Sequence, residues 1–232
     1  MKKLFLLFLA YFAITFTSVG QGRYIDDSYL LRDYEVEQIN ESQSIPDNID
    51  GSPYLTDAFK RSDIFFDDKK DKLRALLRYN AYSGEFEFSV EGKSYVIGNK
   101  EQIDSIHYSD QDFVYISYRG GDGEKKQGYA ASLVQGDCNL YKIYRVRFHE
   151  EEPPRPGHVD YKPARFEMER PLYLIQFDDQ LPHVIESFRR RKFVDHFNGN
   201  KKDHMNFIRE HRLRLYKEED LLNFIDYYNG QR

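Results

Sequence analysis

Leu77-Arg78-Tyr79-Asn80-Ala81-Tyr82-Ser83-Gly84-Glu85-Phe86-Glu87-Phe88-Ser89-Val90 reads as a hairpin. Phe86, Phe88 and Val90 fall on one face of an extended chain, and Glu85, Glu87 and Ser89 on the other. Such alternation marks a strand with one buried face and one wet face. On the preceding arm Leu73, Ala75, Leu77 and Tyr79 share a face, and Ser83-Gly84 supplies the turn.

The same rhythm continues on both sides. Downstream, Glu91-Gly92 turns into Ser94-Tyr95-Val96-Ile97, and Ile103 and Ile106 lead to residues 113–118. Residues 119–123 then reverse the chain into residues 129–134, and Gly136-Asp137 turns it into residues 140–149. Upstream, Gly51 and Pro53 are turn formers, Tyr54, Leu55 and Phe59 suit a short edge strand, and Ile64-Phe65-Phe66 is another apolar run. Glu150-Glu151-Glu152-Pro153-Pro154-Arg155-Pro156-Gly157 breaks the pattern, so residues 150–165 read as an extended, exposed linker. Residues 173–177 supply one further strand, with Asp178-Asp179 as its turn. Strands joined by short turns without intervening helices predict an antiparallel meander of about seven or eight strands over residues 50–179.

From Leu181 the period lengthens from two to about 3.6. Val184, Ile185, Phe188, Val194 and Phe197 predict a first helix, Met205 and Ile208 a second over residues 202–212. Leu221, Leu222, Ile225 and Tyr228 form the stripe of a third over residues 217–228, with Asn229-Gly230 as its stop. Residues 180–232 thus read as a helical cap, and the fold class as α+β.

The first twenty residues are a separate object. Lys2 and Lys3 precede an apolar run over residues 4–16, and Ser18-Val19-Gly20 places small residues at a cleavage site. That is the anatomy of a secretory signal peptide rather than an uncleaved anchor, leaving Gln21 as the mature N-terminus and no transmembrane segment. Residues 21–49 are polar and poor in periodicity, a disordered lead-in with one short helix around residues 28–38. The expected location is exported, either periplasmic or secreted. A mature net charge of −7 argues against nucleic acid as a partner. The 19 Tyr and 18 Phe supply enough apolar area for a core despite 31% charged residues. Cys138 is the only cysteine, so it forms no internal disulfide and reads as a small buried residue.

No stretch carries a recognisable reaction centre. Asp47, Asn48 and Asp50 lack the alternating ligands and sixth-position glycine of a calcium loop. Residues 120–126 lack the Gly-Lys-Ser/Thr of a phosphate loop and read as a hairpin tip. Glu85 with Glu87, and Asp110 with Asp112, are spaced as acid pairs but lie on a face read as wet. His196, His204 and His211 are the most suggestive histidines, yet no His-Glu-x-x-His or Cys-x-x-Cys occurs, so they read as surface or helix-terminal groups. The sequence assigns no catalytic residue, no metal ligand and no cofactor. One asymmetry stands out. Arg189, Arg190, Arg191, Lys192, Lys201, Lys202, Arg209 and Arg212, joined by Arg214, face only three acids between residues 187 and 214. They read either as a solvated helix face turned toward the acidic sheet or as a patch for an anionic partner.

Gly51-Ser52-Pro53-Tyr54-Leu55, Leu77-Arg78-Tyr79-Asn80-Ala81-Tyr82, Glu85-Phe86-Glu87-Phe88 and, near the end, Lys217-Glu218-Glu219-Asp220-Leu221-Leu222 with Tyr227-Tyr228-Asn229 follow one another in order. In these segments the chain resembles an uncharacterised family of exported Bacteroidota proteins, over roughly residues 50–230. The resemblance implies an envelope or secreted protein and carries over no catalytic residue. The family is often Lys-rich around the last two helices, where this chain uses more Arg and His. The functional expectation is a non-catalytic binding or structural module of the cell envelope, its partner another envelope protein or an anionic envelope polymer. The alternatives are a hydrolase or transferase acting on envelope polymers, and a half-barrel carrier of an apolar ligand.

Overall fold

The computed structural model describes residues 27–33, 37–38, 49–66, 70–153 and 161–231. The leader at residues 1–20, most of the 21–49 lead-in and the centre of the 150–165 linker lie outside them. Among the described residues there are thirteen strands: β1 (Glu37–Gln38), β2 (Lys60–Phe66), β3 (Asp71–Asn80), β4 (Glu85–Val90), β5 (Lys93–Val96), β6 (Ser105–Tyr108), β7 (Gln111–Arg119), β8 (Lys125–Val134), β9 (Cys138–Ile143), β10 (Val146–His149), β11 (Arg165–Met168), β12 (Leu172–Phe177) and β13 (His183–Val184). Three helices follow, α1 (Arg190–Val194), α2 (Lys201–Glu210) and α3 (Glu218–Asn229).

The expected hairpin is present, with Arg78 opposite Glu87 and Tyr79 opposite Phe86. Glu91-Gly92 makes a two-residue turn between β4 and β5, both residues having positive φ (53° and 77°) as such tight turns require. A simple meander, however, does not describe the sheet. β2 to β5 do run as a meander, but the chain then crosses back so that β6 pairs with β2 on its other edge. β6 to β9 run on in sequence, β12 adds to β9, and β13 adds to β12 and returns to β7. β7, β8, β9, β12 and β13 therefore close into a five-stranded barrel. The closing pair, His183 beside Arg119, is parallel, and the Arg119 amide donates to the Pro182 carbonyl at 2.8 Å.

The apolar residues of the barrel strands divide among three clusters. Ile116, Tyr118, Ala130, Tyr141, Ile143, Leu172, Leu174 and Val184 come from all five strands and form one cluster, which can only be the barrel interior. The alternate residues of β7 and β8, Phe113, Tyr115, Tyr129 and Ala131, join a second core with Phe86, Phe88 and Tyr79 from the open part of the sheet. On the other side Cys138, Leu140, Tyr173, Ile175 and Phe177 pack against the three helices.

Three expectations are corrected here. The face of Glu85 and Glu87 is not wet: Glu87 is 3% exposed, and its carboxylate accepts from Arg78 at 2.7 Å and from Asn80 at 3.0 Å. The Arg78 guanidinium is in turn stacked over the rings of Tyr54, at 3.7 Å, and Phe59, at 4.5 Å. Residues 181–189 are not a helix. Val184 points into the barrel and Ile185 toward the helices, so two apolar neighbours on opposite faces of a strand imitate a helical stripe. In the lead-in a short helix lies where one is expected, as a 3-10 helix over Ser28–Asp33, but it buries Leu31 completely and β1 pairs with β5, so these described parts pack on the sheet rather than being disordered. The described flanks of the proline-rich segment also pair with each other, Glu152 bridging to Lys162 beside the β10–β11 ribbon.

The cap is pinned by its last helix. Asn229 accepts from the Cys138 amide at 2.8 Å and donates to its carbonyl at 3.1 Å. Glu218 in the first turn of α3 accepts from the Tyr173 hydroxyl at 2.8 Å and pairs with Lys142 at 2.6 Å. Burial pushes the Cys138 thiol up to about 12, consistent with an inert core residue.

Candidate functional site

β13 is too short to form a strand by itself; it exists because the barrel needs a closing edge. Its register puts Val184 inward and His183 outward, next to Arg119 at the end of β7. The chain then passes Glu186 and forms α1, and the amide of His196 in the following turn donates to the Phe193 carbonyl at 3.2 Å. The result is a cleft of about 510 Å³ at the rim of the barrel, lined by Arg119, the hairpin tip at Gly120 and Gly123, His183, Val184, Glu186 and His196. His183 Nε2 and His196 Nδ1 stand 3.1 Å apart, with ring centroids at 5.2 Å.

Burial lowers the pKa of His183, helped by His196 and the Arg119 guanidinium and opposed by Glu186. Burial likewise lowers His196, against the pull of Glu186 and Asp195. Both rings are therefore neutral in the folded protein near neutral pH. An unfolded chain protonates them below the ordinary value of 6.5 while the folded chain resists, so the folded state loses stability as pH falls from that value toward the lowered ones. The thermal midpoint of the wild-type chain is expected to drop more between about pH 7 and pH 5 than that of H183Q/H196Q. Equal drops would show that the pair is not the source.

The histidines singled out in the sequence have different fates. His196 joins His183, which no spacing rule identifies because the two meet only through barrel closure. His204 is not a surface group: it is 1% exposed among Phe197, Phe224, Tyr227 and Tyr228, and its Nε2 meets the Asn198 carbonyl at 2.9 Å. His211 is exposed, stacks on Phe207 and bonds to the Phe207 carbonyl. Among the described residues no group of three or more His, Cys, Asp or Glu converges as a metal cage.

The suggested acid pairs do not form. Glu85 pairs with Lys100 and Glu87 with Arg78, Asp110 sits in a turn with φ 63°, and Asp112 accepts from His107 at 2.8 Å. Beside Lys100 lies a second cleft of about 370 Å³. Near it Glu85 Oε2 and the hydroxyls of Tyr79 and Tyr129 are buried without a protein partner, the kind of place that holds an ordered water.

The basic run lies on the helical cap. Arg189, Arg190, Arg191 and Lys192 lie on and just before α1, Lys201, Lys202 and Arg209 on α2, and Arg212 just beyond it. All eight are exposed, because Phe193, Val194 and Ile208 occupy the faces of these helices that meet the sheet. Among the described residues only Lys201 of the eight makes an ion pair, with Asp195 at 2.6 Å. Also among the described residues, no helix is long and apolar enough to cross a membrane. Comparison of the chain with protein-family models, with curated proteins and with solved structures finds no match.

Proposed function

We propose that the chain is an exported, non-catalytic binding module of the cell envelope that engages an anionic polymer through the cation-bearing side of its helical cap. One observation carries this reading: eight exposed cations are gathered between residues 189 and 212, and seven have no carboxylate partner among the described residues. Like charges held close together repel one another and destabilise the isolated protein, and a polyanion relieves that repulsion. Four of them are consecutive, Arg189 to Lys192, on and just before α1. The carrier alternative loses support because the barrel interior is filled by its own side chains.

The test is retention of the chain on immobilised dextran sulfate, compared with R189E/R190E/R191E/K192E, whose side chains lie outside the apolar cluster. The wild-type chain is expected to bind at about 0.1 M salt and release well before 1 M, and the variant to bind at least about tenfold more weakly. Retention that ignores both salt and the charge reversal would overturn the reading.

A further inference from the structure

We propose that His183 Nε2 and His196 Nδ1 form a two-imidazole site for a late first-row divalent metal ion, Zn²⁺, Ni²⁺ or Cu²⁺, open to the cleft at the barrel rim. The inference is independent of the polyanion reading. Two nitrogens bound to one tetrahedral ion at about 2.0–2.1 Å stand roughly 3.3 Å apart. The two imidazole nitrogens are already 3.1 Å apart and face each other, with the ring centroids at 5.2 Å. A small opening of that gap admits the ion in place of the single N–H···N hydrogen bond.

The backbone that carries each ring is also held in place before any ion arrives. His183 is fixed between two backbone bonds, Arg119 amide to Pro182 carbonyl at 2.8 Å and Ile185 amide to Tyr173 carbonyl at 2.9 Å. His196 is fixed by the turn that ends α1. Imidazole suits zinc, nickel and copper, whereas calcium and magnesium need oxygen ligands that are not gathered here. No third His, Cys, Asp or Glu among the described residues completes a cage, so the remaining positions belong to water or to a ligand within the cleft. Glu186, on the same cleft wall, supplies negative charge. Arg119, also on that wall, opposes the ion itself and favours an anion as its additional ligand.

The experiment is a Zn²⁺ titration of the untagged chain against a chromophoric chelator, repeated with H183Q, H196Q and the control H211Q. Saturable binding of a single equivalent is expected, weakened at least about tenfold by either of the first two substitutions and unchanged by the third. Absence of saturable binding, or binding that survives both substitutions, overturns the proposal. Should either variant misfold, the wild-type chain still decides the matter by the imidazole resonances seen in NMR. Zinc-dependent shifts confined to His183 and His196 support the site, and shifts confined to other histidines overturn it.

Discussion

Glu87→Ala is expected to lower the free energy of unfolding by about 3–5 kcal/mol. The carboxylate is almost fully buried and holds both the Arg78 guanidinium and the Asn80 amide. Removing it leaves Arg78 clamped between Tyr54 and Phe59 with no counter-charge, and that desolvated cation is the source of the loss. Glu87→Gln, which keeps an acceptor for Asn80 and nearly the same volume, is expected to lose less. Replacing both partners, as in R78M/E87L, is expected to recover much of the stability, because no charge then remains buried alone. Urea unfolding checks the series. A loss under about 1 kcal/mol for Glu87→Ala would mean that water reaches the pair and screens it.

Phe86→Ala is expected to cost about 3–5 kcal/mol, the range for deleting a buried aromatic ring. Phe86 is fully buried, and its ring meets Tyr79 at 4.9 Å, Tyr129 at 5.0 Å, Phe113 at 5.2 Å and Tyr108 at 5.4 Å between centroids. Those four partners come from β3, β8, β7 and β6, so a void here loosens contacts among several strands at once. Phe86→Leu, which keeps most of the apolar area, is expected to recover roughly half of the loss. A cost near that of an ordinary surface change would place the centre of this core elsewhere.

What the sequence showed depended on how local each signal was. Phe86, Phe88 and Val90 alternate within one strand, and Glu91-Gly92 builds its turn from its own backbone, so both were readable from neighbours alone. α3 is equally plain, with the stripe Leu221, Leu222, Ile225 and Tyr228 and Asn229-Gly230 as its stop, and α2 follows from Met205 and Ile208. Period two says only that one face differs from the other, not whether something covers it, so it leaves Glu87 on a face that reads as wet. Its cover comes from Tyr54 and Phe59, more than twenty residues upstream. The clue was present: closing the hairpin at Asn80 and Glu85 puts Arg78 directly across from Glu87. The short stretches around Tyr54, Arg78 and Glu87 thus meet at one structural lock.

Barrel closure was not legible, and the candidate cleft with it. A two-residue strand has no period, and a parallel contact between residues 119 and 183 leaves no trace in local spacing. The basic run, by contrast, was visible from composition, because charge excess needs no partner to be seen. The structure adds that all eight side chains are exposed, which a solvated face and a docking patch share.

β7 and β8 send alternate side chains into different cores, Phe113 and Tyr129 to one side, Tyr118 and Ala130 to the other. Neither half of the molecule therefore owns a complete apolar boundary, and a fragment cut on either side of these strands would expose a bare hydrophobic surface. An inserted residue here inverts the facing of everything beyond it and is felt twice, once in each interior. Lengthening the loop of the β10–β11 ribbon, which lies outside that shared partition, carries no such double consequence.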